Sequence, residues 1–255
     1  MMPTTTAWPE VSFCLADANP SAEPNASVVA EVHRLVCRSD LDMPGFCVID
    51  LGATLSSQAF RKYQVAMFRA LRAIHLADTY RDLIAISAAR FDQQVTTKLH
   101  RDGGPDESLL LLGYEPTVIR SQLRVADYSR CAAKLGITAA EFLDRHNPMF
   151  RAGEDLLTEY ACALESFRND HFQLVVVNNS MAESTAENPR WQGVLHTATI
   201  LTPDPSRRRI INSMMIASAP VGTPSKISEQ AIEQFVSTNE VKRSGYDKPE
   251  LADDL

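Results

Sequence analysis

The chain has 255 residues, 45% of them hydrophobic and 22% charged, which is the composition of a globular protein and enough length for one large domain. A net charge of −7 without a basic cluster argues against a nucleic-acid partner, no apolar run reaches the roughly 20 residues needed to cross a bilayer, and the N-terminus lacks a basic start followed by an apolar stretch. The five cysteines (Cys14, Cys37, Cys47, Cys131 and Cys162) are odd in number and form no C-x-x-C pair. A disulfide framework or zinc ribbon is therefore not expected, and a reducing cytoplasm is.

Residues 1–26 are rich in Pro, Ala, Ser and Thr without periodicity and read as a loosely ordered leader. In "SVVAEVHRLVC", Val28, Val32, Leu35 and Val36 fall at helical spacing behind Ser27 as N-cap. "GFCVIDLG" reads as a short buried strand between glycines. A second helix is predicted from about Ser56 to Ile74, with Phe60, Met67, Phe68 and Leu71 on its apolar stripe and Arg61, Lys62, Arg69 and Arg72 opposite.

Beyond residue 83 the texture changes to short strand-like segments: "LIAISAARF", "QQVTTKLHRD", "SLLLLGYE", "SQLRVADYS", "FQLVVVNNS", "QGVLHTATI" and "RRIINSMMIAS". Turn residues such as Gly103-Gly104-Pro105 and Pro203-Asp204-Pro205 separate them. One helix interrupts the series at "TAAEFLDRHN", where Thr138 and Glu141 have capping-box spacing, and "KISEQAIEQFVSTN" gives a last one. Strands without a βαβ rhythm predict a mainly β sandwich or jelly roll with flanking helices. The domain would span residues 27–239, with a polar tail over 240–255.

His100 and Asp102 flank a single arginine in "KLHRD". On a strand, residues i and i+2 project from the same side, so this pair could grip one metal ion with Arg101 turned away. The plain alternative is an exposed strand end entering a turn. Among the other histidines, His33, His75, His146 and His171 read as surface residues, whereas His196 sits in the uncharged strand "WQGVLHTATI" and is the candidate third ligand. A buried histidine bonded to backbone is its alternative. Two histidines and a carboxylate form the facial triad of non-haem Fe(II) oxygenases, and zinc hydrolases use the same ligand types, so the residues alone leave the metal open. The run Arg207 to Arg209 begins 11 residues after His196, past a Pro-Asp-Pro turn; an arginine at the start of an antiparallel partner strand could lie near the ion and fork onto a carboxylate.

In that order, His100-x-Asp102, His196 and the arginines resemble the 2-oxoglutarate- and Fe(II)-dependent dioxygenase superfamily, and the leading helix before "GFCVIDLG" is similar to its phytanoyl-CoA-dioxygenase-like branch. The resemblance covers roughly residues 27–218 and implies a double-stranded β-helix (jelly roll, cupin-like). It further implies Fe(II) on His100, Asp102 and His196, 2-oxoglutarate held by Arg208 or, one register step away, Arg209, and O2 as co-reactant. The expected reaction is oxidation of a C–H bond of a small molecule, with hydroxylation, desaturation and cyclisation all open and succinate and CO2 released. Asp102 disfavours halogenation, because halogenases of the superfamily lack that carboxylate. The sequence departs from the family in having no Arg-x-Ser pair in "RRIINS".

Lys98, on the expected face of His100, is a further candidate for an anionic group of the cosubstrate, and Arg124 in "SQLRVADYS" for the substrate. Tyr114 and Trp191 read as core aromatics. The competing functions are a jelly-roll metal binder without oxidative activity and a cupin-like metal hydrolase or isomerase. No nucleic acid, membrane or particular oligomer is expected.

Overall fold

The strand segments are apolar on both faces, and that dictates the architecture. The computed structural model describes residues 12–14 and 23–244. In β4 (Ser108–Tyr114), buried at every position, Leu109 and Leu111 point one way and Leu110, Leu112 and Tyr114 the other. In β7 (Gln173–Asn178), Leu174 and Val176 alternate with Val175 and Val177; in β2 (Phe46–Asp50), Cys47 and Ile49 alternate with Phe46 and Val48. Strands of this kind need cover on both sides.

These strands join β1 (Ser12–Cys14), β3 (Arg81–Gln93), β9 (Ile210–Pro220) and β10 (Lys242–Ser244) in a seven-stranded sheet of order β1-β2-β7-β4-β9-β3-β10. Its inner pairings are antiparallel, and only the edge strands β1 and β10 pair parallel. Helices α1 (Ala26–Val36), α2 (Ser57–Thr79) and α6 (Glu229–Ser237) cover one face, burying Val32, Leu35, Phe60, Phe68, Leu71, Ile232 and Phe235 against it. Each such side chain contributes about 1.5–3 kcal/mol by leaving water.

A three-stranded sheet covers the other face, in the order β6 (Ala161–Ala163), β5 (Ser121–Ala126), β8 (Leu195–Ile200). Its Leu123 and Val125 pack on Leu110, Leu112, Val175 and Met215 of the large sheet. Helices α3 (Tyr128–Leu135) and α4 (Ala139–Arg145) close a further cluster of Leu99, Tyr128, Phe142 and Leu195, and a short α5 (Arg151–Leu156) follows. The mainly antiparallel, helix-flanked fold expected from the pattern is present.

Several local expectations are met and others corrected. Ser56 caps α2 through Ala59 N at 3.1 Å, but the helix runs to Thr79 and ends at Tyr80 in the left-handed region (φ 54). Thr138 and Glu141 form the reciprocal capping box. The cap of α1 is Asn25, whose side chain accepts from Ser27 N. Arg61 is 1% exposed, not on a solvent face: it donates to Val236 O and Thr238 O and so satisfies carbonyls at the C-terminus of α6.

"SQLRVADYS" is not one strand, because the Asp127 carboxylate accepts from Arg130 N, caps α3, and pairs with the buried Arg38 at 2.6 Å. "QQVTTKLHRD" is not a regular strand either; beyond β3 it carries a single bridge residue, His100. Of the expected leader and tail, residues 12–14 and 242–244 pair with the large sheet, while 1–11, 15–22 and 245–255 lie outside the described residues. Among the described residues no helix is long and apolar enough to cross a membrane.

Candidate metal centre

One backbone exchange builds the site. His100 N donates to His196 O at 3.1 Å and His196 N donates to His100 O at 3.0 Å, an isolated antiparallel bridge between the irregular segment ahead of β4 and strand β8. Directly paired residues present their side chains on one side, and the two imidazole rings lie 4.4 Å apart between centroids. His196 pairs with Val125 on β5, so it faces the space between the two sheets with Leu123 and Ala198.

Asp102 is held by its backbone. The fully buried Asn179 accepts from Asp102 N at 2.9 Å and donates to Asp102 O at 3.0 Å. Arg101 turns away, donating to Asn179 O and Pro105 O. The Asp102 carboxylate consequently sits 3.3 Å from His100 Nε2 and 4.0 Å from His196 Nε2. One donor atom from each of the three residues lies within 4.8 Å of the others. Two imidazoles and a carboxylate are the donor types of a facial set on a metal ion, and these three residues would hold such an ion.

The tautomers favour a cation there. His100 Nδ1 lies 2.7 Å from Lys98 O, a carbonyl that can only accept, so Nδ1 carries the hydrogen and the lone pair of Nε2 faces the Asp102 carboxylate. Only a proton or a metal ion relieves that opposition. Burial works against an imidazolium at His100, but the hydrogen bonds to Asp102 and Lys98 outweigh it, and the pKa lies above the ordinary value. Burial likewise disfavours the Asp102 charge, yet His100 and His196 hold its carboxyl below the usual range. Burial and the neighbouring His100 push His196 down to about 4, and its Nδ1 has no hydrogen-bond partner.

The cavity beside these residues has a volume of ≈ 230 Å³, with Phe91, Leu112 and Ile211 on its wall and Arg209 at its polar end. Arg209 is 1% exposed, and its guanidinium donates through Nε to Ser121 Oγ and through Nη1 to Gln93 O, both at 3.1 Å, lying over the Tyr114 ring at 5.2 Å. Its Nη2 has no partner, and no ion pair joins it to a carboxylate among the described residues. A buried, unpaired guanidinium N–H is costly, and a planar anion satisfies it.

The structure thus brings together His100, Asp102, His196 and Arg209. It does not bring the other candidates there. Arg207 and Arg208 are exposed, and Arg208 gives only its carbonyl to Thr117; the one-residue alternation at the start of β9 turns Arg209 inward instead. Lys98 pairs with Glu154 at 3.0 Å on the surface. Arg124 lies on the outer face of β5, opposite Leu123 and Val125, because those two residues fill the core between the sheets.

Tyr114 is a core aromatic that also floors Arg209, and Trp191 is buried against His75. The surface reading of the remaining histidines needs correction: His33 and His75 are buried, and His171 is half-buried against Asp50 at 2.8 Å. Sequence reasoning missed Ser121, Gln93 and Asn179, which carry no local motif and become relevant only through long-range pairing.

The fold and site define a mainly antiparallel β protein with a His–Asp–His cluster and a buried arginine opening on one inter-sheet cavity. No protein-family model and no curated protein matches the chain. Solved structures described as the iron and alpha-ketoglutarate-dependent endoperoxidase NvfI are similar to it: a single-substitution variant (14% identity, TM-score 0.39, 72% of this chain and 79% of that one) and a different conformation (15%, 0.35, 73% and 80%). A third structure of that enzyme gives 13% identity and a TM-score of 0.34 over 71% of this chain and 80% of that one.

Proposed function

We propose that the chain is a non-haem Fe(II)- and 2-oxoglutarate-dependent dioxygenase of the double-stranded β-helix (jelly-roll) type, oxidising a C–H bond of a small molecule, by hydroxylation in the first instance, with release of succinate and CO2. The observation that carries this reading is the free Nη2 of the buried Arg209 in the same cavity as the His100–Asp102–His196 cluster. A metal hydrolase or a plain metal binder has no need of a desolvated guanidinium waiting beside its ion.

The donor set fits the group. His100, Asp102 and His196 would hold Fe(II), and Arg209 would hold the carboxylate of 2-oxoglutarate remote from the metal. With O2, that bound pair would supply the oxidative decarboxylation and the oxidation of substrate.

The protein's own residues do the positioning. The Lys98 carbonyl fixes the His100 tautomer, so that Nε2 is the donor. Asn179 fixes the backbone that carries Asp102. Ser121 and the Gln93 carbonyl fix the plane of the Arg209 fork, while Tyr114 and Leu112 keep water from it. The cavity, ≈ 230 Å³ with an apolar wall, lies below the usual range of small-molecule pockets, which restricts the substrate to a small molecule.

Under anaerobic conditions, Fe(II) followed by 2-oxoglutarate is expected to give the visible charge-transfer band of a bidentate chelate, and air to give Fe(II)-dependent succinate. His100→Ala and Asp102→Ala are expected to lose both with an unchanged circular-dichroism spectrum. Folded wild-type protein that develops no band, or either variant turning over normally, rejects the oxygenase reading in favour of a metal binder or hydrolase.

A further inference from the structure

We propose a second metal site, distinct from the first, in which His33 and Cys37 of α1 and its cap and His75 of α2 bind a borderline divalent cation of the zinc class. His33 and Cys37 are four residues apart and share a helix face; α2 packs alongside and presents His75. One donor atom from each of the three lies within 4.8 Å of the others. His33 Nε2 and His75 Nδ1 are 3.2 Å apart. Two nitrogens about 2.05 Å from a tetrahedral ion are about 3.3 Å apart, so the imidazoles already stand at a tetrahedral edge.

The outer partners of both rings point to the same conclusion. His33 Nδ1 lies 3.7 Å from the Asp78 carboxylate, longer than a hydrogen bond but on the side where the negative charge favours a hydrogen on that nitrogen. His75 Nε2 is 3.3 Å from Thr79 Oγ1, whose own proton goes to the His75 carbonyl at 2.7 Å, so the hydroxyl oxygen accepts and Nε2 carries the hydrogen. Ser218 Oγ lies 3.1 Å from the same nitrogen and accepts from Arg81 Nε at 2.8 Å. With both hydrogens on these outer nitrogens the two nitrogens facing each other present lone pairs; the other tautomer of either ring makes a direct His–His hydrogen bond instead. A cation between them turns repulsion into ligation, with the outer N–H groups held as ligating histidines hold them. His33 is 9% and His75 1% exposed, so the facing nitrogens lie out of bulk water.

Cys37 completes the donor set. As a ligand it would bind as the thiolate, giving up its proton as the ion enters. Cys37 and His75 line a cavity of ≈ 340 Å³ with Arg81, Glu107 and Arg190, which leaves a fourth coordination position for water and a path for the ion. A bound ion ties α1 to α2 across the helical layer.

The test uses full-length protein carrying both His100→Ala and Asp102→Ala, which removes the first site, titrated with Co(II) and separately with Zn(II). One equivalent of Co(II) with a thiolate-to-metal charge-transfer band is expected, together with a Zn(II)-dependent rise in melting temperature. Cys37→Ser abolishes the band in that background, and His33→Gln weakens Co(II) binding at least tenfold. Folded protein that binds no Co(II), or binds it without the band, overturns the proposal whether or not the variants fold, because a shared proton then fills the gap. The result is independent of the oxygenase reading.

Discussion

Replacing Arg209 by glutamine removes the only buried cation of the inter-sheet cavity among the described residues lining it. The side chain is 1% exposed, so its pairing with a carboxylate is not screened by solvent. Truncating one partner of a buried charged hydrogen bond costs about 2–5 kcal/mol, which at about 1.4 kcal/mol per decade is a loss of roughly 30- to 3,000-fold in 2-oxoglutarate affinity. The lower part of that range is expected, because the glutamine amide donates one neutral hydrogen bond of its own. Arg209→Lys also weakens binding, since an ammonium cannot reproduce the fork that Ser121 and Gln93 hold in plane. Arg208→Gln, on an exposed side chain, stays within about twofold of wild type. The assay is anaerobic titration of Fe(II)-loaded protein with 2-oxoglutarate, followed by the charge-transfer band. Wild-type affinity in Arg209→Gln, or a large loss in Arg208→Gln, refutes the assignment of the inward arginine.

Leu111→Ala empties a fully buried position on a central strand of the large sheet, and urea unfolding should show a loss of about 2–5 kcal/mol with little change in slope. Thr138→Ala removes the hydroxyl that accepts from Glu141 N at 3.1 Å; a loss of about 1 kcal/mol is expected, and no loss in a urea titration sinks the capping assignment. Arg72 donates to both Asp82 oxygens at 2.6 and 2.7 Å and holds that carboxyl below its ordinary value. A depressed carboxyl contributes stability above the unfolded pKa of about 3.9 and loses it as pH falls through the folded value. Asp82→Asn should therefore melt below wild type at neutral pH, and the gap should close as the pH drops beneath about 4; a gap constant to low pH contradicts the pairing.

The sequence by itself determined the features that depend on neighbours a few residues away. The Thr138–Glu141 cap, the apolar stripe of α2 and the two-sided β strands follow from periods of 3.6 and 2 that no distant contact alters. The metal candidates were legible for a similar reason: His100 and Asp102 are two positions apart in the chain, and His196 stands out as a titratable group in an otherwise uncharged strand.

Tertiary structure decided everything that turns on which face is inside. Arg208 and Arg209 differ by one residue, and the start of β9 determines which enters the cavity, because side chains alternate sides. His33 and His75 read as surface groups until α1 and α2 pack and bury them together. His100 lies in no regular strand; two backbone hydrogen bonds to a residue 96 positions away, supported by the Asn179 grip on Asp102, place it. Pairing over that sequence distance is set by how sheets and helices bury their apolar faces, and no local pattern encodes it.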